Sequence, residues 1–228
     1  SDITFVVNRN INYTNICSYK CNFCAFSKGR AHDDLRGKPY NISHEEIIRR
    51  TNEAVARGAT EVCLQGGIHP KYSGETYLDI VRAIRSASPS IHIHAFSPLE
   101  IDHGRKTLNI SVKEFLVELK KAGLNSLPGT AAEILHDEIR AIICPDKLTS
   151  KQWINIIETS HSVGLPTTST MMFGHVERNS HVAHHLLKLL NLQQKTNGIT
   201  EFVPLPFVAD EAPIFRRGQA RPGPTFKE

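Results

Sequence analysis

The sequence predicts an α/β fold, an open or closed barrel of six β/α units with parallel strands inside and helices outside. Three observations predict it. Strand-like and helix-like segments alternate from one end to the other, six times over. Each unit takes roughly 35 residues, which suits a barrel better than a small doubly wound sheet. The residues least at home in regular structure all fall just after a strand, where the loops of a barrel gather at its C-terminal face. Residues 1–208 read as the barrel core and 209–228 as a Pro/Gly/Arg-rich tail.

Residues 3–7 (ITFVV) and 11–16 (INYTNI) read as short strands leading into a cysteine loop. Residues 28–40 are polar, with two Gly and a Pro, and read as a loop. Ser43 and Glu46 have the spacing of a capping box. The helix that follows carries Ile47, Ile48, Ala54 and Val55 and stops at Gly58. Residues 61–65 (EVCLQ) form a buried-type strand ended by Gly66 and Gly67. A helix over 76–86 stops before Pro89, and 91–96 (IHIHAF) alternates as a strand does. Ser111 and Glu114 open a second capped helix, which ends at Gly123. Residues 124–127 then read as a short strand, and Thr130 and Glu133 as a third capping box. Thr149 with Gln152 opens a helix that ends at Gly164. A strand over 167–173, a helix over 180–195 stopped by Gly198 and a last strand over 201–205 complete the order.

With 40% hydrophobic and 22% charged residues, 228 residues are enough for one domain with a real core. The net charge of +4 is scattered, and no Lys/Arg block is long enough to track a nucleic acid. No apolar run approaches the ~18 residues of a membrane helix. The first residues lack a basic stretch followed by an apolar one. Five cysteines without a leader point to a reducing compartment, and the expectation is a soluble cytoplasmic protein.

Three of those cysteines, Cys17, Cys21 and Cys24, fall within eight residues as C-x3-C-x2-C. Gathered thiolates select Zn, Cu(I) or an iron–sulfur cluster. A 4Fe–4S cluster normally takes four Cys. Cys63 and Cys144 lie far off in apolar segments, so three ligands would leave one iron open to a small molecule. The competing readings are a disulfide knot, at odds with a reducing compartment, and a structural Zn site with His32 as fourth ligand. A Zn module usually carries a second Cys or His pair, and none follows here.

C-x3-C-x2-C with the aromatic Phe23 before the last Cys resembles the signature of the radical S-adenosylmethionine (SAM) enzymes. The resemblance implies a partial, TIM-like (β/α)6 barrel. It also implies a 4Fe–4S cluster on Cys17, Cys21 and Cys24, with SAM chelating the open iron and cleaved by one-electron reduction. On the same resemblance Gly66 and Gly67 would meet the amino group of SAM through their backbone, although Ile68 replaces the usual acidic third residue. Glu133 would meet the ribose, unless it only completes its capping box, and Gly174 would lie near the adenine. His94, His175 and Glu177 are candidates for substrate contact or catalysis. For His94, with its strand neighbour His92, a satisfied core position is the plainer reading, and for His175 and Glu177 a capping role. Cys63 reads as a small buried hydrophobe, Cys144 as a helix end, and Met171 and Met172 as ordinary strand residues. Arg216, Arg217 and Arg221 crowd the tail, a surface loop that could fold over the barrel mouth.

Longer stretches narrow the resemblance. IHIHAFSPLEI, AGLNSLPGTAAEIL, ICPDKLTS, GLPTTSTMMFGHVE and EFVPLPFVADEAPIFRRGQARPGPT are similar to the tyrosine-using subunits of the FO synthase family. That family makes the deazaflavin of coenzyme F420. The likeness implies transfer of the 4-hydroxybenzyl group of L-tyrosine to 5-amino-6-(D-ribitylamino)uracil. It also implies an electron donor for the cluster and a second radical SAM subunit or domain that closes the ring. The alternatives are a radical SAM enzyme of the menaquinone (futalosine) pathway and, from another class, a non-catalytic Zn-stabilised barrel. The relatives continue past the position of Glu228, so an incomplete chain with an uncovered last strand and little activity alone is expected.

Overall fold

The computed structural model describes residues 3–27 and 38–227. Part of the 28–40 loop and the Zn-ligand candidate His32 therefore lie outside the described residues.

Five strands alternate with helices: β1 (Asn8–Asn12), α1 (His44–Ala56), β2 (Glu61–Gln65), α2 (Gly74–Ala87), β3 (His92–Ala95), α3 (Pro98–Thr107), α4 (Val112–Ala122), α5 (Asp137–Ile143), α6 (Ser150–Ser162), β4 (Thr167–Phe173), α7 (Asn179–Thr196), β5 (Ile199–Pro206) and α8 (Pro213–Arg216). Among the described residues the named strands pair in parallel, in two sheets of order β1-β2-β3 and β4-β5, and one isolated antiparallel bridge joins Thr14 to Asn41. Isolated parallel bridges, His94 to Ser126 and Leu127 to Thr167, link the two sheets through the segment between α4 and α5. The strand positions thus follow one another in sequence order.

Period-two alternation sorts each strand. On β2, Val62 and Leu64 bury against the helices while Glu61, Cys63 and Gln65 face the lumen. On β3, Ile93 and Ala95 bury outward while His92 and His94 face inward, beside Glu61 and Cys63 in register. The main core lies between the first sheet and α1–α4, around Tyr13, Tyr77, Phe96 and Phe115.

The helix ends follow the capping rules. Ser43, Ser97, Ser111 and Thr149 each accept the backbone N–H three residues on. Gly123 closes α4 in the left-handed region, at φ 117°.

Five expectations are corrected. Residues 3–7 form no strand: their side chains are exposed, and only the Val7 carbonyl enters pairing, accepting from Thr60 and Glu61 N–H. The fourth strand is two isolated bridges. Residues 98–107 form a helix where none was expected, opened by Ser97, Pro98 and Glu100. Thr130 and Glu133 form no capping box. Ala131 and Glu133 take positive φ, and the buried Arg140 guanidinium satisfies the loop carbonyls of Ala131, Ala132 and Ile134. Cys63 faces the lumen half-buried instead of joining the core. β5 stands at a sheet edge and is exposed along most of its length.

His185 on α7 is fully buried, and its Nδ1 accepts the Leu135 N–H at 3.0 Å. Burial, with Arg140 and Lys188 nearby, lowers its pKa from 6.5 to about 4. Above pH 6.5 neither state binds the proton; below it the unfolded chain takes a proton that the folded chain refuses. Stability therefore falls with pH until about pH 4, by roughly 2 kcal/mol at pH 5 from this residue. Urea unfolding at pH 7 and pH 5 should show that much less acid destabilisation in His185→Gln than in the natural chain.

Candidate functional site

The loops after β1, β2 and β3 and the loop before α5 meet at the C-terminal ends of the strands. They enclose a pocket of about 220 Å³. Cys17, Cys21, Phe23 and Cys24 form one wall, Gly66, Gly67 and Ile68 a second, and Glu133 and Lys147 a third.

The cysteine loop is tied down on both sides. The Ser18 N–H and hydroxyl donate to the Ile68 carbonyl at 2.9 and 3.1 Å. In return the Ile68 N–H meets Cys17 Sγ at 3.3 Å, and the Ser27 N–H meets Cys24 Sγ at 3.4 Å. Asn22 donates to the carbonyls of Ile142 and Ile143, at the end of α5, and accepts from Ile214 N–H of α8. The tail thus packs on the cysteine loop, and Ala209, Ala212 and Ile214 join a cluster with Cys21 and Phe23.

Gly67 has a steric reason. A Cβ there would meet the Ile16 carbonyl oxygen and lie 2.9 Å from the Cys17 Cβ. Only glycine lets the β2 turn lie against the cysteine loop. The turn is held by Glu100, which accepts from Gly66 N–H at 3.2 Å, from Ser97 N–H and Oγ at 2.6 Å each, and from the Tyr13 hydroxyl. Glu100 is 1% exposed, and burial raises its pKa.

Glu133 pairs with Lys147 at 2.7 Å, and Lys147 Nζ stands 5.1 Å from the centre of the Phe23 ring. Burial alone would lower the ammonium pKa; Glu133 and the thiols of Cys21 and Cys144 reverse this and raise it. Burial pushes the Cys21 thiol up to about 12, against the pull of Lys147.

The structure brings together Cys17, Cys21, Cys24, Phe23, Gly66, Gly67 and Glu133. It places the remaining candidates elsewhere. His94 is buried in the lumen, its Nδ1 2.6 Å from Ser126 Oγ. Gly174, His175 and Glu177 close on themselves: the Glu177 carboxylate accepts the N–H groups of Gly174 and His175 at 2.5 and 2.8 Å, and Arg221 lies 3.3 Å away. His175 is fully buried, and its Nε2 donates to the Met172 carbonyl. Sequence reasoning missed Glu100 and Lys147. The S-x-x-E spacing of Ser97 and Glu100 was a usable signal, whereas Lys147 carries no local one.

Among the described residues, two groups of three have donor atoms within 4.8 Å of one another: Glu61–His92–His94 and His136–Glu138–His181. The cysteine trio is not one of them. A single Zn at ~2.3 Å from each sulfur would need thiolates that close. Three soft thiol donors on one pocket wall have the chemistry of iron–sulfur ligands.

A parallel α/β fold with three loop thiolates against a glycine turn at the strand ends defines a site for a sulfur-held cluster and a small molecule beside it. The chain belongs to the radical SAM superfamily, whose sequence pattern matches residues 11–189. It is 50% identical over 227 residues, all but one of its own, to a Mycobacterium leprae protein named FO synthase, and spans 26% of that protein's length. It is 49% identical over 223 residues, 98% of its length, to the 5-amino-6-(D-ribitylamino)uracil–L-tyrosine 4-hydroxyphenyl transferase of Methanothermobacter thermautotrophicus, and spans 60% of that protein. Among solved structures it resembles HydG, a maturase of the [FeFe]-hydrogenase, with a TM-score of 0.66 at 15% identity over 87% of this chain and 42% of that one. That likeness shows the fold. No helix among the described residues is long and apolar enough to cross a membrane.

Glu133 and Lys147 are each less than 15% exposed at the side chain, so removing one partner strands a charge. Lys147→Met should destabilise the fold by about 3 kcal/mol in urea unfolding, and Glu133→Gln/Lys147→Met should recover most of that loss.

Proposed function

We propose that this chain is the tyrosine-using radical SAM part of an FO synthase. The reaction breaks the Cα–Cβ bond of L-tyrosine and moves its 4-hydroxybenzyl group to 5-amino-6-(D-ribitylamino)uracil, for deazaflavin and coenzyme F420 synthesis. The observation that carries this reading is the sequence identity of about half, over essentially the whole chain, to relatives so named. The pocket supports it.

Cys17, Cys21 and Cys24 would hold the cluster, with the N–H groups of Ile68 and Ser27 stabilising charge on two of the sulfurs. Bound there, the cluster and SAM supply one-electron cleavage of the sulfonium and, from it, hydrogen-atom abstraction. The carbonyls of Gly66 and Gly67 would accept from the amino group of SAM, in a turn that Glu100 keeps in place. Glu133 would accept from the ribose hydroxyls, held in place by its ion pair with Lys147. The apolar body of Phe23 and the Cys21 side of the pocket would keep water from the reacting carbon. Gly174 is proposed to face the adenine, and His94, His175 and Glu177 remain the proposed substrate-side residues. The first faces the lumen, whereas the other two brace the loop after β4. A second radical SAM subunit or domain would close the ring, and a cytoplasmic electron donor would reduce the cluster.

Anaerobic reconstitution with iron and sulfide should load a 4Fe–4S cluster into Cys63→Ala and Cys144→Ala as into the natural chain. Cys17→Ala, Cys21→Ala and Cys24→Ala should hold none, by iron content and visible absorption. In the reconstituted protein, 5′-deoxyadenosine release should depend on added tyrosine, and a 4-hydroxybenzyl adduct of the ribityl uracil should appear by mass spectrometry. Release that ignores tyrosine, with no adduct, would overturn the reading.

A further inference from the structure

Below the cysteine pocket the barrel lumen holds a second cavity of about 810 Å³. The two share Gln65 and Thr130 as walls, and the Thr130 hydroxyl donates to Gln65 Oε1 at 2.8 Å between them. They are adjoining compartments of one shaft. β2 lines the lower one from Gln65 down to Glu61, about 13 Å at the rise of an extended strand.

A closed barrel of this class packs its interior with branched apolar side chains. This lumen instead sets the polar side chains of β2, β3 and β4 among apolar ones such as Phe5, Val203 and Leu205. Ser126 Oγ lies 2.7 Å from His92 Nε2 and 2.6 Å from His94 Nδ1. One hydroxyl proton cannot serve both rings, so one imidazole nitrogen accepts and the other donates. The Thr170 hydroxyl donates to the Gly129 carbonyl and keeps its lone pairs for a guest. Burial lowers the pKa of both imidazoles, that of His94 to about 4, so they are neutral groups that both give and take hydrogen bonds. Among the described lining residues there is no Lys or Arg, and the only charges are the carboxylates of Glu61 and Glu201. Burial and the nearness of Glu201 raise the pKa of Glu61, as two carboxylates without a cation require.

Such a wall suits a neutral chain of hydroxyls and repels an anion. We propose that the lumen is the subsite for the polyol chain of the acceptor, and that Glu61 and Glu201 make it select a free hydroxyl terminus against a terminal phosphate. The inference rests on the function proposed above, since it takes the ribityl uracil as the acceptor. It sets the ring at the Gln65–Thr130 boundary, next to the cysteine pocket, and the chain toward His94, Ser126 and the carboxylates.

The test uses the cluster-reconstituted protein and two acceptors, the free ribityl uracil and its terminal phosphate ester. Calorimetric binding should favour the free form by about 100-fold, as expected for a dianion set beside two carboxylates with no Lys or Arg among the described lining residues. In 0.5 M salt the ratio should shrink several-fold. Glu61→Gln/Glu201→Gln, with folding checked by its unfolding temperature, should narrow it at least tenfold. Ser126→Ala should weaken the free ribityl acceptor while leaving an N-ethyl analogue without the chain unaffected. Equal binding of the two forms, or a preference insensitive to both salt and the carboxylate substitutions, overturns the inference. Tyrosine-triggered deoxyadenosine release reports separately on the function: if that is absent while the binding preference holds, the reading of the reaction fails and the polyol subsite stands.

Discussion

One buried carboxylate sets the C-terminal face of this barrel. Glu100 gathers the Tyr13 hydroxyl from the end of β1, the Gly66 N–H from the end of β2, and the Ser97 N–H and hydroxyl from the end of β3. Four donors match the four lone-pair positions of one carboxylate. They come from three successive loops, so the interaction fixes those loops relative to one another before any ligand arrives. A buried carboxylate short of donors would be costly, which makes the arrangement close to all-or-none. The glycine turn presses on the cysteine loop because Glu100 holds it there, and Gly67 lacks the Cβ that would keep the two apart.

The same carboxylate shows how far the sequence was legible. The cysteine loop and Gly66–Gly67 could be read directly, because their chemistry lies in residues adjacent along the chain. β2 and β4 were also read to the residue, since period-two runs between turn signals carry their own boundaries. Ser97 and Glu100 had a legible spacing but sat in a segment with Pro98, Asp102, His103 and Gly104, which depresses helix propensity. Packing overrides that: Gly104 is small enough for Phe115 of α4 to close against it. Residues 3–7 failed in the opposite sense. Their apolar run suggested a strand, but strand identity lies in the partner's hydrogen bonds, and only Val7 finds one.

The interior follows a different rule from the exterior. Outward-facing residues of β2 and β3 are Val, Leu, Ile and Ala against helices, as a parallel sheet requires. Inward-facing ones on β2, β3 and β4 are Glu, Cys, Gln, His and Thr, and on β5 they are Glu201, Val203 and Leu205. Polar side chains on the inner face forgo the burial that fills an ordinary barrel, and the helix layer has to supply the stability. A lumen left open in this way serves a guest. Its neutral imidazoles and hydroxyls also limit which guests enter, because no Lys or Arg among the described lining residues compensates a negative charge.

The Glu133–Lys147 pair completes the argument about position. From spacing alone Glu133 had two readings, a helix cap or a pocket contact. The cap is removed by the positive φ of Glu133 and by Arg140, which takes over the loop carbonyls. What remains is a carboxylate on the pocket wall, paired with an ammonium that also lies over Phe23. Lys147 is 123 residues beyond Cys24 in sequence, yet it faces the Cys21 thiol and opposes the effect of burial on it. The pair therefore joins the fourth loop to the first as Glu100 joins the first three. The loop after β4 is closed separately by its own Glu177. Glu100 thus ties the loops after β1, β2 and β3, Lys147 ties in the loop before α5, and the loop after β4 is braced by Arg221.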